Sequence, residues 1–193
     1  MKLASFNDGS KDGQLIVVSK DLTKFVYATD IALTMQVAMD NWDNIFKELN
    51  NLSKDLNGGE IEAEKFEAQN VLSPLPRAYQ WADGSAYVNH VALVRKARGA
   101  EMPNSFWSDP LMYQGGSDDF IPPLSPICLP DESWGIDMEG EIAVITGNVK
   151  MGTSPKEALN SIRLLMLVND VSLRNLIPNE LSKGFGFFQS KPS

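Results

Sequence analysis

Apolar residues recur with two different rhythms near the start of the chain. Three short runs, Leu3-Ala4-Ser5-Phe6, Gln14-Leu15-Ile16-Val17-Val18 and Phe25-Val26-Tyr27-Ala28, are rich in strand formers. The first two are separated by Asn7-Asp8-Gly9-Ser10-Lys11-Asp12-Gly13, a composition that favours turns. They predict a small β-module. The rhythm then changes: Met35, Ala38, Trp42, Ile45, Leu49, Leu52 and Leu56 recur at spacings of three and four. Those positions share one helical face, and Gly58-Gly59 supplies a stop. The expected use of that face is packing on the β-module; a partner-binding surface is the alternative.

Ser73-Pro74-Leu75-Pro76 reads as a linker, because proline stiffens the chain and blocks helix continuation. The boundary is set near residue 71, with a β-module plus helix over residues 1–70 and a second domain over residues 71–193. Sequence rich in Pro, Gly and aromatic residues continues to Pro130 and predicts loops with short strands. Ser154-Pro155-Lys156-Glu157 forms a capping-box pattern with proline at the first helical position, so a short helix starts there. Residues 162–168 are almost continuously apolar and predict a buried strand that delivers Asn169-Asp170. The fold class expected is α+β and rich in strand.

Composition narrows the function classes. Apolar residues make up 43% and charged residues 22% of 193, as in an ordinary globular chain. No apolar run reaches the roughly 18–20 residues that span a bilayer, and the first residues lack the apolar stretch of a secretory signal. The expectation is a cytoplasmic protein without a membrane partner. Cys128 is the single cysteine, so neither an internal disulfide nor a cysteine-rich zinc site can form. A net charge of -8 argues against a nucleic-acid partner.

Some of that acid sits where solvation explains it poorly. In Asp137-Met138-Glu139-Gly140-Glu141, followed by the strand-forming residues 142–145, a strand would point Glu139 and Glu141 to one face. Their Cα atoms would be roughly 6.5–7 Å apart. Like charges so placed repel unless water or a cation compensates. Gly140 would clear the opposite face for a neighbouring segment. Oxygen donors without His or Cys suit Mg²⁺, Ca²⁺ or Mn²⁺. The plainer reading is two ordinary glutamates on a solvent-facing edge. Asp170, at the end of an apolar run, is either a turn-former or a carboxylate held by a rigid scaffold. His90 is the sole histidine, and its side chain is the one suited by its unperturbed pKa to proton transfer near neutrality.

Taken in order, Asp83-Gly84-Ser85-Ala86-Tyr87-Val88-Asn89-His90, Met102-Pro103-Asn104, Met112-Tyr113-Gln114-Gly115, Asp137-Met138-Glu139-Gly140-Glu141 and Asn169-Asp170-Val171-Ser172-Leu173-Arg174 resemble the fumarylacetoacetate hydrolase family over about residues 79–193. The bacterial fumarylacetoacetase type fits better than the shorter keto-acid decarboxylases and hydratases. The resemblance implies a mixed β-roll catalytic domain with Asp83, Glu139, Glu141 and Asp170 as ligands of a divalent metal. It implies His90 as the histidine that activates water. It also implies substrate contacts from Tyr113, Arg95 (with Arg98 as the alternative) and Lys191. Ordinary surface charge is the plainer reading of the three basic residues. Ser85 stands where animal members carry a substrate-contacting tyrosine, and Tyr87 is the nearby substitute.

The activity implied is hydrolytic cleavage of a carbon–carbon bond in a 1,3-dicarbonyl acid such as 4-fumarylacetoacetate, by a homodimer. A 2-keto acid decarboxylase, hydratase or acylpyruvate hydrolase is the alternative within the superfamily, and a non-catalytic binding module the alternative outside it. Family members continue past the point matched by Ser193, through further strands and a glutamate that orients the histidine, so the resemblance implies an incomplete catalytic domain.

Overall fold

The computed structural model describes residues 1–193 except Arg98, Pro110, Ser117, Asp118 and Ser193. Strands β1 (Lys2–Phe6), β2 (Gln14–Val18) and β3 (Lys24–Tyr27) form an antiparallel meander where the apolar runs predict it. The predicted helix is two: α1 (Met35–Asp40) and α2 (Trp42–Gly58), broken at Asn41, whose backbone leaves helical geometry (φ −113°, ψ 15°). Strand β4 (Glu64–Lys65) adds to the sheet beside β3.

Strand β2 is covered on both faces. Leu15 and Val17 meet Met35, Ala38, Trp42, Leu49 and Leu56 of the two helices. Ile16 and Val18 pack with Phe25 and Val71 on the other face. Ile45 and Leu52 lie partly buried against the helical cluster, so the whole stripe packs inward. At about 25 cal/mol per Å² of apolar surface removed from water, this region holds the main apolar core. Gly59 ends α2 in the left-handed region (φ 75°), where a side chain would be strained.

The proline-rich segment is no free tether. Val71 bridges to Phe6, the Leu72 amide donates to the Ser5 carbonyl (2.9 Å), and the buried Ser5 hydroxyl donates to the Pro74 carbonyl (2.7 Å).

The rest of the chain builds three two-stranded antiparallel ladders. Strand β5 (Ala82–Gly84) precedes helix α3 (Val88–Ala97) and pairs with β6 (Met112–Gln114). Strand β7 (Ile136–Asp137) is followed by β8 (Gly140–Thr146). The capping box then opens α4 (Pro155–Ala158), with the Ser154 and Glu157 side chains each meeting the other's backbone amide. Strand β9 (Ile162–Asn169) pairs with β8, and β10 (Ser172–Leu173) with β7, ahead of α5 (Ile177–Leu181). This is an α+β fold.

Two expectations do not hold. Residues 162–168 form the strand, but they are not buried on both faces. Leu165 and Leu167 are 70% and 85% exposed, as is Ile142 on β8 (75%), because one face of the β8–β9 ladder has no covering layer among the described residues. Gly140 admits no neighbouring segment: nothing lies within 4 Å of where its Cβ would stand. The Arg163 guanidinium on β9 reaches Asp43 of α2 (2.9 Å) and joins the ladder to the N-terminal region. Among the described residues no helix is long and apolar enough to cross a membrane.

Candidate metal centre

Three carboxylates from distant parts of the chain converge. Asp83, Glu141 and Asp170 each offer an oxygen, and these atoms all lie within 4.8 Å of one another. Local pairing explains the meeting. Asp83 lies directly opposite Tyr113 in the β5–β6 ladder, so both side chains share a face. Glu141 is the second residue of β8, where Gly140 pairs with Asn169. One residue further, the Asp170 amide donates to the Glu139 carbonyl (2.9 Å), which fixes Asp170 beside the head of β8. The Tyr113 hydroxyl donates to Asp83 Oδ2 (3.2 Å) and leans toward Asp170 Oδ2 (3.5 Å).

Glu139 stands at the edge of this group and is turned to cations. Lys191 Nζ donates to Glu139 Oε2 (2.8 Å) and also to Asp170 Oδ2. Arg174 bonds Glu139 Oε1 through one nitrogen and Asp137 Oδ2 through Nε (2.9 Å). The Glu139 amide donates to the Asn169 side-chain oxygen (3.2 Å).

The charges are therefore divided unevenly. Burial disfavours ionised Glu139, yet Lys191, Arg174 and His90 outweigh it and hold that carboxyl below its ordinary value. Glu141 goes the other way, to about 7, through burial and then repulsion from Asp83, Asp170 and Glu139. Asp170 is raised by burial and by Asp83, against the pull of Lys191. Tyr113 is pushed up by burial and by the surrounding carboxylates, so its hydroxyl remains a donor.

Among the described residues no ion pair reaches Asp83 or Glu141. An all-oxygen donor set with that much uncompensated charge fits a hard divalent cation. The apolar-walled cleft beside it, about 1000 Å³, has Trp81, Phe120 and Met138 on its walls and Tyr113, Asp170 and Lys191 at the carboxylate end.

Among the other predicted residues, His90 is exposed on α3 and near enough to act on the charge of Glu139. Arg95, in the last turn of α3, donates to the Glu101 carbonyl (3.0 Å), a local loop contact rather than one with the carboxylates. Arg98 lies outside the described residues. Tyr87 is 74% exposed, and the Ser85 amide donates to the Leu111 carbonyl (2.9 Å). Sequence reasoning assigned no role to Arg174 or to Asn169, although both fall inside the Asn169–Arg174 motif. Their roles depend on the pairing of Ser172 with Asp137 and of Asn169 with Gly140, which no local signal announces.

Comparison with known proteins bears on the family and the fold. Residues 1–77 match the model of fumarylacetoacetase N-terminal domain 2, and residues 80–193 match that of the fumarylacetoacetate (FAA) hydrolase C-terminal domain. No curated protein matches this chain. A solved structure, a putative HpcE protein from Mycobacterium smegmatis, is 18% identical with a TM-score of 0.62, over 91% of this chain and 57% of that one. The chain thus spans little more than half the length of that protein, and at this identity the likeness concerns the fold alone. A model match over most of the part that carries the converging acids is what decides the affiliation: this chain belongs to the fumarylacetoacetate hydrolase family.

Proposed function

We propose that this protein is a metal-dependent hydrolase that cleaves a carbon–carbon bond in a small 1,3-dicarbonyl acid such as 4-fumarylacetoacetate. The observation that carries the reading is the convergence of Asp83, Glu141 and Asp170, with Lys191 and Tyr113 in hydrogen-bonding contact with them. Asp83, Glu141 and Asp170 would hold a divalent ion, Mg²⁺, Ca²⁺ or Mn²⁺, with Glu139 as the fourth donor. Bound there, the ion supplies Lewis-acid polarisation of carbonyl oxygen.

His90 accepts a proton from water, and the water oxygen adds to one carbonyl carbon of the substrate. The bond between that carbon and the central carbon of the dicarbonyl then breaks, and its electron pair passes to an enolate. Lys191 is the cation placed to share the enolate's negative charge and to bind an anionic substrate. Tyr113, kept protonated, orients a substrate oxygen by turning its single hydroxyl proton to it from Asp83. Trp81 and Phe120 shield the apolar part of the substrate from water. Reprotonation of the enolate carbon completes the two products, one of them a carboxylate.

The test is turnover with Mg²⁺ or Mn²⁺ present, following loss of fumarylacetoacetate absorbance beside parallel assays with oxaloacetate and an acylpyruvate. Fumarylacetoacetate is expected to be the best substrate. Preference for a 2-keto acid would replace this reading with a decarboxylase, hydratase or acylpyruvate hydrolase. His90→Ala is expected to bind Mn²⁺ normally and lose about 10²–10⁴ of the rate. Turnover at the parent rate would remove His90 from the mechanism. Absence of calorimetric Mg²⁺ and Mn²⁺ binding would leave the non-catalytic module.

A further inference from the structure

Glu180 is a buried carboxylate outside the acidic cluster, 9% exposed on α5. It accepts three hydrogen bonds from two consecutive residues. The Gln189 amide donates to Oε1 (2.7 Å), the Ser190 amide to Oε2 (3.0 Å) and the Ser190 hydroxyl to Oε2 (2.5 Å). Burial opposes its ionisation, but these donors hold it below the usual glutamate value. Ser190 is fully buried, and its carbonyl accepts from the Leu173 amide (2.8 Å), which ties the same point to β10.

Lys191 is the next residue along the chain, and its ammonium reaches Glu139 and Asp170. On the other side of the tied pair stands Phe187, with its backbone in the left-handed region at φ 69° and its ring 4.7 Å from that of Tyr113. A bulky residue persists in that conformation only where surrounding contacts over-determine it. A run of three bonds to one buried carboxylate is such a determinant.

We propose that Glu180 is a positioning residue, whose carboxylate clamps residues 187–191 and thereby sets where Lys191 and Phe187 stand against the acidic cluster. Both oxygens are needed, because an amide at this position offers one acceptor and turns its NH₂ toward a donor. The consequence for the reaction rests on the reading of Lys191 given above; the clamp itself concerns only the loop.

Trace acetylation with acetic anhydride, read lysine by lysine by peptide mass spectrometry, tests the clamp without any turnover. Lys191 in the parent protein should acylate at least about tenfold more slowly than the exposed Lys183, because its amine is shielded and ion-paired. In Glu180→Gln the Lys191 rate should rise about threefold or more, and in Glu180→Ala it should approach that of Lys183, with Lys183 unchanged in both. Circular dichroism establishes that each variant is folded. If Glu180→Ala does not fold, Glu180→Gln decides. Equal rates for Lys191 and Lys183 in the parent, or a parent-like Lys191 rate in folded Glu180→Gln, would overturn the proposal. Lys191→Ala separates the two ideas: unchanged turnover there would remove Lys191 from the mechanism and leave the labelling result on the loop standing.

Discussion

Strands β2 and β9 carry the same kind of sequence and meet opposite fates. Leu15, Ile16 and Val17 of β2 have no exposed surface, because helices cover one face and Phe25 with Val71 the other. On β9, Leu164 packs against the N-terminal core while Leu165 and Leu167 face outward. An aliphatic run therefore specifies extended backbone, but its burial depends on what the rest of the chain lays over it. The second region buries few apolar side chains, Val171, Leu173 and Ile177 among them, and mixes them with polar groups: Asp170, Ser172, Glu180 and Ser190 are among its least exposed residues. Apolar area dominates the first region, and hydrogen bonds around buried acids carry more of the second.

The largest expected effect lies in the first region. Leu49→Ala should lower stability by about 2–5 kcal/mol in urea unfolding, since its side chain is fully enclosed and the cavity cannot close completely. A cost below about 1 kcal/mol would make the α2 stripe something other than core.

Next, Glu141→Gln should weaken Mn²⁺ binding at least about tenfold by calorimetry. The same substitution should leave the metal-free melting temperature equal or higher at pH 8, because it removes repulsion with Asp83 and Asp170. A fall in both would assign Glu141 to the fold instead.

A third, smaller effect is set by pH. Folding raises the Glu141 carboxyl to about 7, so between the ordinary glutamate value and about 7 the native state keeps a proton that the unfolded chain has lost. Metal-free stability should then decline as pH rises through that window. Mn²⁺ must displace that proton, so its affinity should climb over the same range and level off above about 7. Calorimetry at pH 5, 6, 7 and 8 checks the sign, and a flat profile would contradict it.

The smallest effect belongs to the exposed face of β9. Leu167→Ser should change stability by no more than about 0.5 kcal/mol in this chain. A larger loss in urea unfolding would show that something covers the face in solution.

Residues whose role is local were legible in the sequence. The alternation of three and four from Met35 to Leu56 marked the core helices, and Ser154 with Glu157 marked α4, because capping and periodicity act within a few residues. The break at Asn41 was not legible, since no proline or glycine announces it. Around the acids, residue type and position pointed to Glu139, Glu141 and Asp170, and the family resemblance added Asp83. The partners of Glu139 could not be read, because Arg174 reaches it only through the β7–β10 pairing and Lys191 only through the loop held by Glu180. Arg95 and Lys191 looked alike as isolated basic residues, and only the course of the chain separates one hydrogen-bonded to a loop carbonyl from one hydrogen-bonded to carboxylates.

The donors of the acidic cluster come from three segments, β5, β8 and the end of β9. Strand β8 pairs with β9, but β5 pairs with β6 in a separate ladder and meets them through the Tyr113 hydroxyl. An ion gripping all three would act as a cross-link, and its binding energy would be partly folding energy for this region. A chelator should then loosen the carboxylate-bearing ladders first while the β-meander and its two helices keep their structure, so the molecule would melt in two stages without its ion and closer to one with it.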